Sequence, residues 1–569
     1  MKTFFTFIIL FSSITIFAQA PNCLWARNMA GNSVDQAEEA ALDAAGNAYV
    51  TGWFQGDSLS FDTITIHNAG SFTRDFFIVK YDASGNVLWA KSAGGADDDL
   101  GMGISACPDS NIIVTGYFRS PLMTLGSFTL VNSDTNGYSN DIFIVKYDPA
   151  GNVLWAKREG GTSNDMANAV ATDSTGNAVI TGYYLSPHII AGTDTLVNPD
   201  SALNEANVFL IKYDPSGNVL WARSEGGSGS EYAVDVSCGK GDSIVITGYF
   251  NSSFRIGSDS LMNTDTSINR HTDLFIAKYD SPGNPVWATC AGGSGANDET
   301  NSVSIDPSGN IIICGHYGSA AMFDTTAITS AGLFDVFVGK YDGTGKLLWV
   351  KSTGGTYHDY AWDAFADANG DILITGFFGS PFINFDAITL SNASPGGSGD
   401  LWLTKLGASG NALWAMRAGT AADEGATSVI SDAAGAIFLT GGYSGANITI
   451  QGIQLTNSTA PGYQDSFLAK FEGNDTATGV VQQEDHYQLS IYPNPGNGIF
   501  IVSSELTVPS QLIITNVLGE TIYTLGMKSS GAPVRKEIDL HAQPGGVYFV
   551  RLIPGSGAQR PLTQKIIIR

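Results

Sequence analysis

The chain has 569 residues, 43% hydrophobic and only 14% charged, with 67 glycines and a formal net charge of −26. That length exceeds one ordinary domain unless repeats build a large one, and many glycines with few charges favour short strands and tight turns over helices. The acidic balance argues against nucleic acid or anionic lipid as partners; it suits cations (Ca²⁺ among them), basic partners or plain solubility outside a cell.

Residues 1–20 read as a signal peptide. Lys2 opens it, residues 4–17 are nearly all apolar, and Ala18-Gln19-Ala20 is a small-x-small cleavage site. The apolar run is too short and too broken by Ser and Thr to span a bilayer comfortably. The mature form is expected to begin at Pro21 and to carry no transmembrane helix.

A Trp then recurs at Trp25, Trp89, Trp155, Trp221, Trp287, Trp349 and Trp414, at intervals of 62 to 66 residues. A fixed period of that size marks repeated supersecondary units. In the third unit, 168–173 reads as a short strand and 174–177 as a tight turn. A second strand follows at 178–184, then a polar loop of varied sequence to about 205. A third strand at 208–213, a turn at 214–218 and a fourth strand at 219–223 complete the unit. Gly and Asn supply the positive φ that such hairpins need, and Asp and Pro start them. Four antiparallel strands make one propeller blade.

The other units agree. Thr-Gly recurs in the second strand at Thr51, Thr115, Thr181, Thr247, Thr375 and Thr440, with Cys314-Gly315 the exception. The glycine is expected to admit a neighbouring backbone. The Trp is expected to pack between blades with its N–H bonded. A Lys ends every third strand (Lys80, Lys146, Lys212, Lys278, Lys340, Lys405 and Lys470) and is expected to pair with turn acids such as Asp82 and Asp148. Asp75, Asp141, Asp273, Asp335, Asp400 and Asp465, with Asn207 in the third unit, precede the third strands as turn caps.

The first Trp phrase, 23–27, lacks a third strand before it, and the last third strand, 466–471, lacks a Trp phrase after it. Joining the two gives an all-β, seven-bladed β-propeller over 21–472, closed by the N-terminal strand, which also removes an open sheet edge.

An acid stands twelve residues before the hairpin Asn, or its equivalent, in nearly every unit: Asp35, Asp99, Asp165, Asp298, Asp359 and Glu424, with Glu231 displaced by one. Topology puts these seven in the links that cross inward to the next blade, around the channel mouth and on the same face as the long loops. They either cap the N–H groups of those links or form a ring for a cation or ligand. No metal site is expected: Asp-rich phrases such as 367–371 are hairpin turns and lack the distant Glu of a Ca²⁺ loop. Five cysteines (Cys23, Cys107, Cys238, Cys290 and Cys314) with no Cys-x-x-Cys speak against a zinc site or disulfide framework, and allow at most two bridges.

No catalytic constellation is present. His316 is expected to be a packed strand residue. Catalysis would need one blade to break the symmetry, and the places to look are His358 beside Asp359 and Tyr360, and Arg270-His271. The expected role is therefore binding or adhesion at the surface or outside the cell, toward a glycan, surface polymer or protein. The alternatives are an extracellular polysaccharide lyase or hydrolase working at the channel mouth, and a structural surface-layer component.

Residues 473–488 form a polar linker, and from Leu489 the pattern changes to a second run of strands. Asp43-Ala-Ala-Gly46-Asn47-Ala-Tyr49-Val50-Thr51-Gly52 resembles the SBBP-type β-propeller repeat family, as does Asp306-Pro-Ser-Gly309-Asn310; Asp109-Ser-Asn111 and Gly239-Lys-Gly241-Asp242 depart from it. That resemblance covers roughly 23–472 and implies a fold, not an activity. Tyr492-Pro493-Asn494-Pro495, Leu518-Gly519, Gly546-Val547-Tyr548 and Lys565-Ile566, in that order, resemble the type A C-terminal sorting domain of type IX secretion substrates. This implies an Ig-like β-sandwich over 489–569, handling by that secretion machinery, passage through the outer membrane, and surface attachment or release.

Overall fold

The structure, a computed structural model, describes residues 20–70, 72–265, 270–396, 398–458, 462–473, 489–492, 496–504, 510–516, 520–527, 534–554 and 562–568. The expected signal peptide up to residue 19, most of the expected linker, Pro493, Asn494, Pro495 and Leu518-Gly519 lie outside them. The chain divides into two compact units, 1–479 and 480–569.

The first unit is a β-propeller-like repeat of seven four-stranded antiparallel modules. The third runs Asp165–Thr172, Ala178–Tyr184, Asn207–Tyr213 and Val219–Gly227, neighbours in that order. The seventh uses both ends of the unit. Glu424–Ser431, Ile437–Tyr443 and Asp465–Phe471 are followed in the sheet by Cys23–Gly31, which sets Trp25 opposite Lys470 and Met29 opposite Ser466. Among the described residues no sheet closes on itself. The first strand of each module packs against those of the modules before and after it, and the first strand of the seventh against that of the first.

Each first strand carries a bulge, between Ala167 and Ala169 in the third module and at the equivalent place in the other six. The bend presses a carbonyl onto the Thr-Gly glycine, so that a Cβ on Gly182 would collide with the Met166 carbonyl. The neighbouring Thr181 hydroxyl donates to Phe209 O at 2.8 Å. Small size and a local donor are what this pair contributes.

The Trp contacts repeat between modules. Trp155 Nε1 of the second module donates to Pro215 O in the last turn of the third, at 3.1 Å, and Gly217 lies against its ring. Lys146 of the second module donates to the same carbonyl at 3.4 Å. The seam between the seventh and first modules is identical in kind: Trp25 Nε1 and Lys470 Nζ both reach Ala83 O, at 3.3 and 3.1 Å, with Gly85 against the Trp25 ring.

The acid partners of the lysines differ from the sequence expectation. Lys80 pairs with Asp43 and Lys146 with Asp109, not with Asp82 or Asp148; Lys212–Asp173, Lys340–Asp306 and Lys405–Asp367 follow the same rule, each at 2.9 Å. The partner belongs to the first hairpin turn, because the second strand, which leaves that turn, lies directly beside the third strand that carries the Lys. Asp82 and Asp148 are engaged in their own turns, each accepting the backbone N–H groups two and four residues on. Desolvation pushes the Asp173 carboxyl up, but hydrogen bonds from Lys212, Asn177 and Thr175 outweigh it and hold it at about 2.

The connections between second and third strands are also more ordered than a variable loop. Each contains a short β-ribbon, such as Ser58–Phe61 with Ile64–His67 and Leu122–Leu125 with Phe128–Val131. In the fifth module the two long strands Ile311–Phe323 and Thr326–Tyr341 run straight into it. Asp62 at one tip takes φ 53°. After six of the ribbons an Asn spans the loop: Asn132 Nδ2 donates to Phe118 O and Ser139 O, and Asn68, Asn198, Asn263, Asn392 and Asn457 do likewise. The acids before the third strands cap these loops. Asp75 accepts from Ala69 N at 2.6 Å, Asp141 from Ser133 N at 2.7 Å and Asp400 from Ala393 N at 2.8 Å. The five cysteines are unpaired.

The second unit has a three-stranded sheet (Leu489–Tyr492, Ile499–Ser504, Val534–Asp539) and a four-stranded sheet (Thr521–Met527, Ser510–Asn516, Gly546–Pro554, Leu562–Ile568). Ile491, Phe500, Val502 and Ile538 from one meet Leu512, Ile514, Val550 and Ile566 from the other in one core. Gly546, Val547 and Tyr548 open the strand that pairs with the terminal one, where Phe549 stands opposite Lys565. Tyr548 is buried and its hydroxyl donates to Pro544 O at 2.7 Å.

Candidate functional site

The seven acids Asp35, Asp99, Asp165, Glu231, Asp298, Asp359 and Glu424 are each the first residue of a first strand, and all are buried. Their backbone N–H groups tie each module to the one before: Asp165 N donates to Asn140 O and Asp35 N to Gln464 O, both at 2.9 Å. All the carboxylates but that of Asp35, whose two oxygens are buried without a hydrogen-bond partner among the described residues, hold the inward link. Asp165 accepts from Gly161 N and Ser186 Oγ at 2.7 Å and from Ser186 N at 3.1 Å, and Asp359 repeats this with Gly355 and Ser380. Asp298 accepts from Gly293 N, Glu231 from Gly227 N and Glu424 from Thr420 N. Burial first, and neighbouring carboxylates such as Asp465 beside Asp35, raise Asp165 to about 7, Glu231 and Asp298 to about 8 and Asp35 to about 9.

Three further carboxylates, not singled out from the sequence, sit four residues into the first strands of the first, fourth and sixth modules. Glu39 accepts from Ile104 N, Asp235 from Val303 N and Asp363 from Val429 N, each bridging to the next module. Burial first, and one another's charge second, raises Glu39; Asp235 rises to about 7. Gly103, Ala169, Ser302 and Ser428 take the equivalent positions elsewhere. Among the described residues no group of three or more His, Cys, Asp or Glu side chains is arranged to hold a metal ion.

The repeat symmetry breaks in the sixth module. Tyr357, His358, Tyr360, Phe377, Gly379, Gly396 and Ser398 line a shallow cavity of about 260 Å³ at the link-and-loop end. His358 just precedes the strand that carries Tyr360 and, at its bulge, Trp362, and Phe377 stands opposite Tyr360 on the next. Ring planes of Tyr360 and Trp362 lie 5° apart with centroids 5.3 Å apart; Tyr360 and Phe377 are at 27° and 5.0 Å, His358 and Tyr360 at 20° and 5.9 Å. Tyr357 and Trp362 are 43% and 37% exposed.

The cavity exists because two glycines face it. Gly379 follows the second strand where Arg119 stands in the second module and Leu185 in the third; all three donate their N–H to the residue before the link acid. In the second module the Arg119 side chain reaches across to Gly137 O at 2.6 Å. Gly396 lets Tyr357 lie against the backbone, since a Cβ there would meet the Tyr357 hydroxyl at 2.8 Å.

The sequence pointed to His358, Asp359 and Tyr360, and the structure gives them separate roles. Asp359 is consumed by its link, while His358 Nδ1 lies 3.3 Å from the Tyr360 hydroxyl at the cavity. His316 is buried, edge-on to Tyr360 and Phe334, and burial lowers it to about 4. Arg270 and His271 bond Glu205 and Asp265, at 3.4 and 2.6 Å.

Residues 490–569 match the secretion system C-terminal sorting domain. Two curated relatives match the chain: an uncharacterized WD repeat-containing protein of Acanthamoeba polyphaga mimivirus, 26% identical over 69% of this chain and 34% of its own length, and the regulatory protein FlaEY of Caulobacter vibrioides, 25% identical over 54% of this chain and 33% of its own. The chain thus spans about a third of the length of each. Among solved structures, Sqt1 from Chaetomium thermophilum (9% identity, TM-score 0.37, 86% of this chain and 97% of that one) and a gluconolactonase from Xanthomonas campestris (11%, 0.27, 64% and 92%) are too distant to carry an argument. The tail directs export through type IX secretion to the cell surface or beyond, and the chain it carries has a β-propeller-like repeat fold.

Proposed function

We propose that residues 21–472 form a closed, seven-bladed β-propeller of the SBBP type. In this reading the N-terminal strand is the outer strand of the last blade, and 489–569 is an Ig-like sorting sandwich handled by the type IX machinery. The pairing of Cys23–Gly31 with Asp465–Phe471 and the Trp25–Ala83 contact support that closure. Outside the cell the propeller acts as a non-catalytic binding protein, with its contacts on the link-and-loop face of the sixth blade.

The observation that carries the binding reading is the aromatic cavity beside Gly379; the fifth module also has a glycine at this position, Gly318, but there Ala296 and Phe334 lie against it. Binding residues belong on loops held by a rigid scaffold, and pockets with aromatic walls and few polar groups are the usual form of a ligand site. The test is adhesion of the producing cells to their growth surface or extracellular matrix, comparing the native chain with Gly379→Leu. Reduced adhesion at equal surface display supports the reading; unchanged adhesion removes it.

A further inference from the structure

We propose that the sixth-module cavity binds a neutral, pyranose-based glycan, one sugar ring at a time. This rests on the binding reading above and names its ligand class.

The argument starts from shape. At about 260 Å³ the cavity is just below the range of sites for drug-sized ligands and suits a single ring better than a peptide side-chain array. Its walls are chemically two-sided. Tyr357, Tyr360 and Phe377 offer aromatic surface, while the Tyr357 and Tyr360 hydroxyls and the His358 ring bring a few hydrogen-bonding groups to the same place. A pyranose has the matching character: axial C–H groups make its faces apolar and slightly positive, and hydroxyls surround its rim. Such a face is attracted to the negative face of an aromatic ring.

Two rival ligand classes fit worse. An organic cation is held best by rings that enclose it from several sides. Here His358, Tyr360, Trp362 and Phe377 are stacked on their neighbours with planes 5° to 27° apart, a stack and not a box. An anionic glycan needs cations, and no Lys or Arg lines the cavity, while the chain carries a net charge of −26. Trp362, exposed at the far end of the stack, extends the aromatic surface beyond the first ring and offers a second stacking position for a chain of sugars.

The experiment uses the full chain and defined probes. Neutral hexasaccharides of glucose, xylose, mannose and N-acetylglucosamine, and anionic oligogalacturonate as the contrast, are titrated by calorimetry with tryptophan fluorescence read in parallel. The expected result is binding of at least one neutral hexasaccharide with a change in fluorescence, at least a tenfold loss in Tyr360→Ala, Trp362→Ala and Gly379→Leu, and no binding of oligogalacturonate. Tyr357→Ala, whose side chain lies at the rim, serves if Gly379→Leu does not fold. Absence of binding to all four neutral probes at millimolar concentration, a preference for oligogalacturonate, or neutral-probe binding untouched by these variants overturns the proposal. If the glycan titrations fail while Gly379→Leu still lowers adhesion, the ligand class falls and the binding reading stands; if adhesion is also unchanged, both fall.

Discussion

The two ends of each module are built to different rules. At the tight-turn end, one set of contacts repeats at six of the seven seams: a Trp N–H and a Lys on the next module's turn carbonyl and a glycine against the Trp ring, joined in five modules by a Lys–Asp pair. At the link-and-loop end the frame repeats but its filling varies, from Arg119 in the second module to Leu185 in the third and Gly379 in the sixth. Uniform contacts between neighbours are what a repeat protein needs for stability, since each module is held only by those beside it. Variation on a fixed frame is what leaves room for a site.

The comparison is broken most severely at the seam. Deleting residues 21–31 removes the strand that pairs with Asp465–Phe471 and the Trp25 contact, and leaves an unpaired edge. Loss of the cooperative thermal transition and aggregation on size exclusion are expected; a native melting curve would separate the seam from stability. Next comes a single module contact. Trp155→Ala should cost about 3–5 kcal/mol in denaturant unfolding, through lost burial and the lost bond to Pro215 O, which keeps only Lys146. Lys212→Met should cost about 3 kcal/mol, because it strands the buried Asp173 carboxylate, and adding Asp173→Leu should return most of it. A small Lys212→Met effect would mean that water reaches Asp173.

The same two ends respond to pH with opposite sign. Asp173 is depressed to about 2, so its contribution is complete above the unfolded value near 4 and is lost as pH falls through 2. The link acids Asp165, Glu231 and Asp298 are raised to about 7 or 8, so the folded state holds their protons after the unfolded chain has released them; their contribution is greatest below about pH 4 and is lost as pH rises toward 7–8. Stability should therefore peak in mild acid and decline toward neutrality. Asp165→Asn should shrink the loss between pH 5 and 8 by about 1–3 kcal/mol. An unchanged decline in that variant would take the effect away from the link.

How much of this was legible in the sequence follows the same division. Trp, Thr-Gly and the strand-ending Lys could be read because each recurs at a fixed place, and the unmatched phrases at 23–27 and 466–471 pointed to each other. The acid partner of the Lys could not. Two hairpin turns lie at the same end, each opened by an acid, and only the lateral order of strands chooses Asp43 over Asp82 for Lys80. The ribbons were hidden by variable sequence, although Leu59, Phe61 and Ile66, like Met123, Leu125 and Leu130, alternate around a turn and are buried. The cavity was half visible. His358 and Tyr360 stood out as chemistry, but what opens the space is a missing side chain at Gly379, which shows only when the modules are superposed.

The smallest expected effect is on stability at that position, and it makes the comparison sharpest. Gly379 has no left-handed φ, and a Cβ there would lie 3.1 Å from His358 O, a contact that calls for a shift of a few tenths of an ångström. Arg119 and Leu185 occupy the same frame, so Gly379→Leu should change unfolding free energy by no more than about 0.5 kcal/mol. The reciprocal change, Arg119→Gly, loses the bond to Gly137 O and should cost about 1 kcal/mol. It opens space beside Tyr117 and Leu100, with no ring at the places of Tyr357 and Trp362, which are Asp97 and Met102 there. If Gly379→Leu destabilised by several kcal/mol, the glycine would serve the backbone and not the cavity. If Arg119→Gly created carbohydrate binding in the second module, emptiness alone would suffice and the aromatic stack would lose its role.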